Sequence, residues 1–433
     1  MRQISGTTVV KTDTFTNIEE WRTGGGDDVL AGAGIDEQFR PGLGRDFVNG
    51  GGGFDGILYT DASARVFVDL VRGFALDFGG FRDTLVSIEY ARGGSGNDVL
   101  RGDGNHGFLR GGTGNDTLIS AWDGVAPNPG GISVDYNERT AGTPVTVDLA
   151  AGFAQIGAER DTLIGNFTQV RGGAGADTLL GNGFDNVFRP RNGADVINGR
   201  DGFDRVDYRD ESAAITASMG TVNSGTVIGA DGTTDTLTSI DWVRGSNFND
   251  TLQSHGASIT PFGAYGFAAG DTPHLEGWIG NDTLAGQAGR AVIARYAADP
   301  GPIFVDLAAG FAIDGWGGVD TLTNIWGIRG SAFNDTITLG AGNEWVRGDD
   351  GDDVLDGGAG LDRVSFDGAP AAVIVDLAAG TAQDGWGNTD LITGFEAVTG
   401  TAFNDQIFGD ANNNWFIGGD GNDLLDGRGG SAA

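Results

Sequence analysis

Aspartates recur along this 433-residue chain at a spacing that few folds can accommodate. Asp28 and Asp46, Asp98 and Asp116, Asp177 and Asp195, Asp335 and Asp353, and Asp405 and Asp423 each stand 18 apart. Asp46 and Asp55, Asp195 and Asp204, and Asp353 and Asp362 stand 9 apart. The series Asp28, Asp36, Asp46, Asp55 and the series Asp177, Asp185, Asp195, Asp204 share the steps 8, 10 and 9. Asp250 and Asp282 are 32 apart, the 18-residue step plus a 14-residue insertion. A register this regular puts the aspartates in equivalent places of a stacked structure rather than around one globular core.

The local pattern is G-G-x-G-x-D-x-L, as in RGGSGNDVLRG at 92–102, RGGTGNDTLIS at 110–120 and RGGAGADTLLG at 171–181. Glycines supply a tight turn and let neighbouring backbones approach, and the following x-L-x is a three-residue strand with its apolar residue inward. Two such nonapeptides make one 18-residue coil. Successive coils then lie one strand spacing apart, about 4.8 Å, and residues 18 apart form a column on one edge. The predicted fold is all-β: a right-handed parallel β-roll or β-helix solenoid of nine-residue half-coils. A longer unit is superposed on it, ending at Asp28, Asp98, Asp177, Asp250, Asp335 and Asp405, at successive intervals of 70, 79, 73, 85 and 70 in the sequence.

Carboxylates stacked about 5 Å apart repel unless a cation lies between them, and a hard cation takes six to eight oxygens at 2.3–2.6 Å. In tandem, the nonapeptides resemble the repeats-in-toxin (RTX, hemolysin-type) calcium-binding family over roughly residues 13–430. The resemblance implies several Ca2+ ions, each held by Asp side chains and backbone carbonyls of two successive turns. The metal positions it implies on one edge are Asp28, Asp46, Asp98, Asp116, Asp177, Asp195, Asp250, Asp282, Asp335, Asp353, Asp405 and Asp423. On the opposite edge they are Asp36 with Asp55, Asp185 with Asp204, and Glu344 with Asp362. Gly107 and Asn414 have lost the carboxylate, and Ala291 stands where an Asp is due. About ten to fifteen ions would answer 20–30 negative charges.

The domain reading follows the repeats: β-roll units over 1–120 with a partial unit at the N-terminus, an irregular Pro/Gly loop over 121–144, and units over 145–252. An irregular insertion over 253–276 and units over 277–433 complete it. The VFVDL, VTVDL, IFVDL and VIVDL segments alternate like half-buried strands and read as coils of the same solenoid. Asp69, Asp148, Asp306 and Asp376 recur in them, as do Asp83, Asp161, Asp235, Asp320 and Asp390 further on. Turn capping and edge solvation is the reading for both sets. Arg22, Arg92, Arg171, Arg244 and Arg329 recur before the Gly turn and read as partners of the surrounding carboxylates. Trp316 and Trp386, in matching DGWG turns, read as packing on neighbouring coils.

Composition excludes several functions. The chain has 60 Asp+Glu against 26 Lys+Arg, a net charge of −34, which argues against nucleic acid and anionic membranes as partners. With no Cys there are no disulfides, thiol nucleophiles or thiolate metal sites. Eighty Gly could indicate disorder, but 25 Phe and 9 Trp are too many for a solvated linker. No apolar run reaches a membrane span, and the protease, hydrolase and phosphate-loop signatures are missing from the sequence.

The RTX resemblance implies a secreted, extracellular bacterial protein exported through a type I (ABC-type) channel and folded outside by calcium. The chain begins inside a unit and ends just after a repeat, which reads as a segment of a larger protein. The expected function is a noncatalytic calcium-binding module with a structural, adhesive or secretion-supporting role, its partners being calcium, the secretion machinery and a cell-surface or polysaccharide ligand. Two alternatives stand beside it. YGFAAGDTPH at 265–274 resembles the Tyr–Gly–Asp–His cluster of mannuronan epimerases, which implies an accessory or enzyme acting on acidic polysaccharide. The open ends of a solenoid allow calcium-dependent self-assembly at a surface. His106 reads as a loop residue.

Overall fold

The computed structural model describes residues 2–5, 8–12, 19–104, 107–121, 132–221, 223–258 and 272–429. Every regular element among them is a β-strand, most of three to five residues. The chain divides into two compact units, Met1–Asp204 and Arg205–Ala433. Each is a β-roll in which the chain passes alternately through two sheets.

In the first unit, one sheet is wholly parallel: Glu20–Arg22, Gln38–Arg40, Gly56–Leu58, Tyr90–Arg92, Gly107–Arg110, Ile132–Asp135, Gln169–Arg171 and Val187–Arg189 stack in that order. We call it the inner sheet and its partner the outer sheet. The 18-residue step is directly visible in both. Leu30 pairs with Val48 and Leu100 with Leu118 in the outer sheet, and Trp21 pairs with Phe39 in the inner one. The central residue of each triplet points inward and is buried: Leu30, Val48, Leu100, Leu118, Leu179 and Ile197 on one side, Phe39, Ile57, Leu109, Val134 and Phe188 on the other. The second unit repeats the scheme, with Leu252, Leu284, Ile337, Leu355 and Ile407 facing Val243, Leu275, Ile328, Val346 and Val398.

The VxVDL segments are not further coils. They open three-stranded antiparallel meanders inserted in the outer sheet. Phe67–Asp69 pairs with Phe74–Leu76, which pairs with Arg82–Val86, both antiparallel. Arg82–Val86 then lies parallel to Phe47–Asn49, and Phe67–Asp69 parallel to Val99–Arg101. The same insertion occurs over 145–164, 216–238, 304–323 and 374–393. The first reversal has an evident cause. Asp69, Asp148, Asp306 and Asp376 each accept, through Oδ1, the N–H three residues on (Arg72, Ala151, Ala309, Ala379; 2.8–3.0 Å), closing the turn as read from the sequence. In the third strands inward and outward residues alternate strictly, as in Val319–Thr323 and Thr389–Thr393. This is how a strand with one solvated face is written.

The meanders make the two sheets unequal. From Glu20 onward, among the described residues of the first unit, twelve outer strands face eight inner ones. At ~4.8 Å per strand the sheets would run about 58 Å and about 38 Å, so a unit can keep both sheets in contact only by bending with the inner sheet on the concave side. Exposure follows. Several outward residues of the outer sheet are open to solvent (Phe47 40 %, Ile164 47 %, Val196 47 %), while from Gly56 onward those of the inner sheet are buried or half-buried (Tyr90 7 %, Asp135 1 %), Glu20, Arg22 and Gln38 before them being exposed. The second unit shows the same contrast between Val319 or Leu391 and Ile293 or Trp345.

Candidate metal ladders

Most turns deliver a carboxylate to an edge of the roll just before a strand begins, Asn186 and Asn414 standing in two of the exceptions. On the edge preceding the outer strands, the backbone N–H of Asp28 donates to Asp46 Oδ1 at 2.7 Å and that of Asp98 to Asp116 Oδ1 at 2.8 Å. Asp177 donates likewise to Asp195 (2.6 Å), Asp250 to Asp282 (2.7 Å), Asp335 to Asp353 (2.8 Å) and Asp405 to Asp423 (3.0 Å). All the pairs read from the 18-residue spacing on this edge are therefore brought together, and the stretched Asp250–Asp282 pair keeps the same contact. On the opposite edge Glu344 donates to Asp362 Oδ1 at 2.8 Å.

Two positions on that edge need correction. The residues stacked on Asp55 and Asp204 are Glu37 and Asn186, whose N–H groups reach the Oδ1 atoms at 2.8 and 2.7 Å. Asp36 and Asp185 stand one residue earlier, outside the column. The steps are therefore 9, 9 and 9, since 28, 37, 46 and 55 are the stacked residues, and aspartate identity misled where strand phase decides. Asp36 and Asp185 belong to a second, outer ladder running the opposite way. Their Oδ1 atoms accept the N–H groups of Phe54 and Phe203 in the next coil, both at 2.8 Å. Asn97, Asn249, Asn334, Asn343 and Asn404 do the same for the coils that follow them.

The ladders also hold residues the sequence reading assigned elsewhere. Asp83, Asp161, Asp320 and Asp390 are buried and accept the N–H groups of Asp46, Asp116, Asp282 and Asp353 at 2.9–3.1 Å. They are rungs, not solvated turn caps. Glu89 and Glu396 take the corresponding place above Asp55 and Asp362 (2.6 and 2.9 Å). The available signal was the recurrence of Asp-Thr-Leu at Asp83, Asp161 and Asp320, varied to Asp-Leu-Ile at Asp390, and of a Glu six residues on at Glu89 and Glu396. Its meaning required knowing that the meander's third strand stacks on the coil. In four of the five copies the Oδ2 of the aspartate at this position accepts a buried tyrosine hydroxyl: Tyr59 to Asp83 (2.6 Å), Tyr136 to Asp161 (3.0 Å), Tyr208 to Asp235 (2.9 Å) and Tyr296 to Asp320 (3.0 Å).

Two turn conformations alternate, and they differ at the carboxylate. Where a turn follows a meander, the N–H four residues before the Asp closes on its Oδ2, as Gly94 does on Asp98 (2.8 Å) and Gly173 on Asp177 (2.7 Å). In the next coil the equivalent residue has positive φ: Gly42 (82°), Gly112 (93°), Trp278 (78°) and Asp349 (70°) on one edge, Gly51 (97°) and Gly358 (79°) on the other. That N–H makes no bond to the Oδ2 there. The Oδ2 atoms of Asp46, Asp116, Asp282, Asp353, Asp55 and Asp362, the carboxylates that end those six turns, are buried with no hydrogen-bond donor. A buried carboxylate oxygen without a donor is costly.

The surroundings fit a hard cation. A side chain at Gly93, the first glycine of its turn, would strike both the Asp98 carboxylate and the Gly111 carbonyl oxygen, and one at Gly111 the Asp116 carboxylate. The space beside each rung is thus lined by carboxylate and backbone oxygens. Among the described residues no three Asp, Glu or His side chains converge as a side-chain metal cluster, so an ion on the ladder would take backbone carbonyls for the rest of its shell. Burial, reinforced by neighbouring rungs, pushes the carboxyls up: Asp46 to about 7, Asp116 and Asp282 to about 8, Asp353 to about 9. Bound calcium would supply the positive charge that lets these groups stay ionised.

Outside the ladders, Arg22 pairs with Asp61 (2.9 Å), Arg244 with Glu276 (2.9 Å) and Arg329 with Asp349 (2.7 Å), in line with the ion-pair reading. Trp316 packs on Trp278, centroids 5.5 Å apart, yet stays 42 % exposed. His106, residues 122–131 of the loop at 121–144 and residues 259–271 of the insertion at 253–276 lie outside the described residues. His274 is within them, buried in an inner strand, and burial and nearby arginines push its pKa well down. A family model described as the RTX calcium-binding nonapeptide repeat matches the chain in four copies, at residues 87–119, 171–206, 329–364 and 399–431. Curated proteins gave no match. The matched segments contain Asp98 with Asp116, Asp177 with Asp195 and Asp204, Asp335 with Asp353 and Asp362, and Asp405 with Asp423.

Proposed function

From a chain that carries RTX calcium-binding nonapeptide repeats in a β-roll, we propose a noncatalytic extracellular module of a bacterial protein, exported unfolded by a type I route and folded by calcium outside the cell. Its role is structural or adhesive: a stiff calcium-loaded stalk or spacer. The observation that carries this reading is the set of buried, donorless Oδ2 atoms at Asp46, Asp55, Asp116, Asp282, Asp353 and Asp362. Each opposes folding without a cation and favours it with one, so binding free energy becomes folding free energy. In a calcium-poor cytoplasm such a chain stays unfolded, the state a narrow export channel requires.

Circular dichroism during calcium titration, with calorimetry for stoichiometry, tests the proposal. The expected result is loss of β signal in chelator and its recovery with calcium, several ions being bound. A chain equally folded in chelator, or one that binds only one or two ions, would sink it.

A further inference from the structure

The inner sheet of the Arg205–Ala433 unit gathers arginines that the calcium ladders do not use. Arg205–Asp207, Trp242–Arg244, His274–Glu276 and Ile293–Arg295 lie side by side in that order, all parallel. The guanidinium carbons of Arg205 and Arg295 each stand 4.4 Å from the Trp242 ring centre, reaching it from strands on opposite sides. The carboxylates nearby are engaged. Asp207 is shared by Arg209 (2.8 Å), Arg244 (3.4 Å) and Arg205 (3.6 Å). Glu276 is held by Arg244 at 2.9 Å, and Asp349 by Arg329 at 2.7 Å and by Arg347. Glu276 and Asp349 are the carboxylates that act most strongly on Arg295, which is thus left without one of its own. Arg295 makes no ion pair among the described residues, and its Nε is buried without an acceptor. Two further donors of this group, Arg205 Nε and Trp242 Nε1, are also buried without acceptors. Burial and the neighbouring Arg329 push the Arg295 guanidinium down to about 9. Even in a chain of net charge −34, this spot is short of negative charge.

We propose that Arg295, Arg205 and the Trp242 indole N–H hold a divalent tetrahedral oxyanion, a sulfate or phosphate group, free or as an ester. Buried donors without acceptors are costly, and an anion that accepts from them removes the cost. Guanidinium groups bind oxyanions through charge-assisted hydrogen bonds. Two like-charged guanidinium groups held at one ring repel, and two negative charges offset both. The donors come from strands on both sides of Trp242, so the ligand needs oxygens facing more than one way. A tetrahedral group has them, whereas a carboxylate has two in one plane and chloride has none. The Arg205 side chain keeps 15 % of its surface open, and Arg295 is half-buried, so a small solute reaches both. The site goes beyond the calcium reading and needs calcium only to keep the unit folded.

Calorimetry on the calcium-loaded full chain at about pH 8, where both test anions are divalent, compares sodium sulfate and methyl phosphate with sodium acetate and sodium chloride. At least one of the two divalent anions should bind at a single site, with acetate and chloride each at least tenfold weaker. Sulfate alone would mark a sulfate group as the ligand and methyl phosphate alone a phosphate group, and either supports the site. Arg295→Gln should weaken binding at least tenfold. Trp242→Phe, which keeps the ring and removes the N–H, should weaken it at least threefold. Both should leave calcium-induced dichroism intact. If Arg295→Gln fails to fold, Arg205→Gln replaces it with the same expectation. Silence of both divalent anions on folded protein overturns the proposal. So does acetate or chloride binding as well as the better of them, or either variant binding like the parent. Failure of the calcium reading would appear separately, as dichroism that ignores calcium.

Discussion

A single rung shows what the ladder demands. Asp116 receives an N–H from Asp98 on Oδ1, leaves Oδ2 buried without a donor, and offers its own N–H to Asp161. Asp116→Ala should therefore remove about one calcium ion from the stoichiometry and weaken binding locally, which calorimetry would show as one lost site and not a uniform fall. The tyrosine contacts give a second residue-scale expectation. Tyr59→Phe takes the hydroxyl from a fully buried contact at 2.6 Å and should destabilise the calcium-loaded chain by about 1–3 kcal/mol in denaturant titration. In the fifth copy the equivalent residue is Phe366, also buried, so Phe366→Tyr should cost little. Tyr59→Phe without effect would mean that the hydroxyl does not hold the rung.

At the scale of an element, the open turn is the unit that matters. Gly112 has φ of 93°, and a Cβ there would run into the Gly94 carbonyl of the previous coil. Gly112→Ala should cost about 1–2 kcal/mol for the left-handed backbone alone, with the collision added. Hydrogen exchange should show the opening confined to the 93–119 turns and strands. Arg191, Arg200 and Asp349 occupy the same turn position with φ of 70–73°, so the conformation is a demand of the fold that a side chain can meet at lower φ. Meanders and open turns are linked, since closed turns follow each meander and open turns follow a coil. The sequence marked the turn residues clearly. It could not separate the two turn states at Asp98 and Asp177, whose closed turns use the same Gly-x-Gly-x-Asp letters as the open ones, whereas at Asp250, Asp335 and Asp405 the closed turn is marked by Ser246, Ser331 and Thr401, which donate both N–H and hydroxyl to the aspartate.

For the whole molecule the rungs act together. Nine turns with positive φ at this position lead to a stacked carboxylate among the described residues: those through Gly42, Gly51, Gly112, Arg191, Arg200, Trp278, Asp349, Gly358 and Gly419. A calcium stoichiometry near nine is expected from calorimetry, and three or fewer would contradict it. Acidity gives an independent check. In the calcium-free fold Asp46, Asp116, Asp282 and Asp353 titrate near 7, 8, 8 and 9, against about 3.9 unfolded. Groups raised in the fold contribute stability below about pH 4 and lose it as pH rises through 7 to 9. In chelator the β signal should therefore strengthen on acidification. With calcium present the trend reverses, because protons compete for the same oxygens, and the calcium midpoint should move to higher concentration between pH 8 and pH 5. A chelated chain indifferent to pH would mean that the rungs are not desolvated as the structure shows.

What the sequence by itself determined is the part governed by local period: the 18-residue coil, an inward apolar residue in each short strand, and the pairing of Asp98 with Asp116 or Asp335 with Asp353. These follow from neighbours in sequence, since one glycine turn and one short strand fill a nonapeptide wherever they occur. Only the tertiary structure decided that Glu37 and Asn186, not Asp36 and Asp185, stand in the column, because strand phase is set by which side chain the core accepts. It likewise decided that Asp83 and its counterparts are rungs, that the VxVDL segments are meanders, and that the outer sheet of the first unit holds more strands than the inner one. Those features depend on which strands lie side by side across long stretches of chain, and a nine-residue pattern carries no record of that.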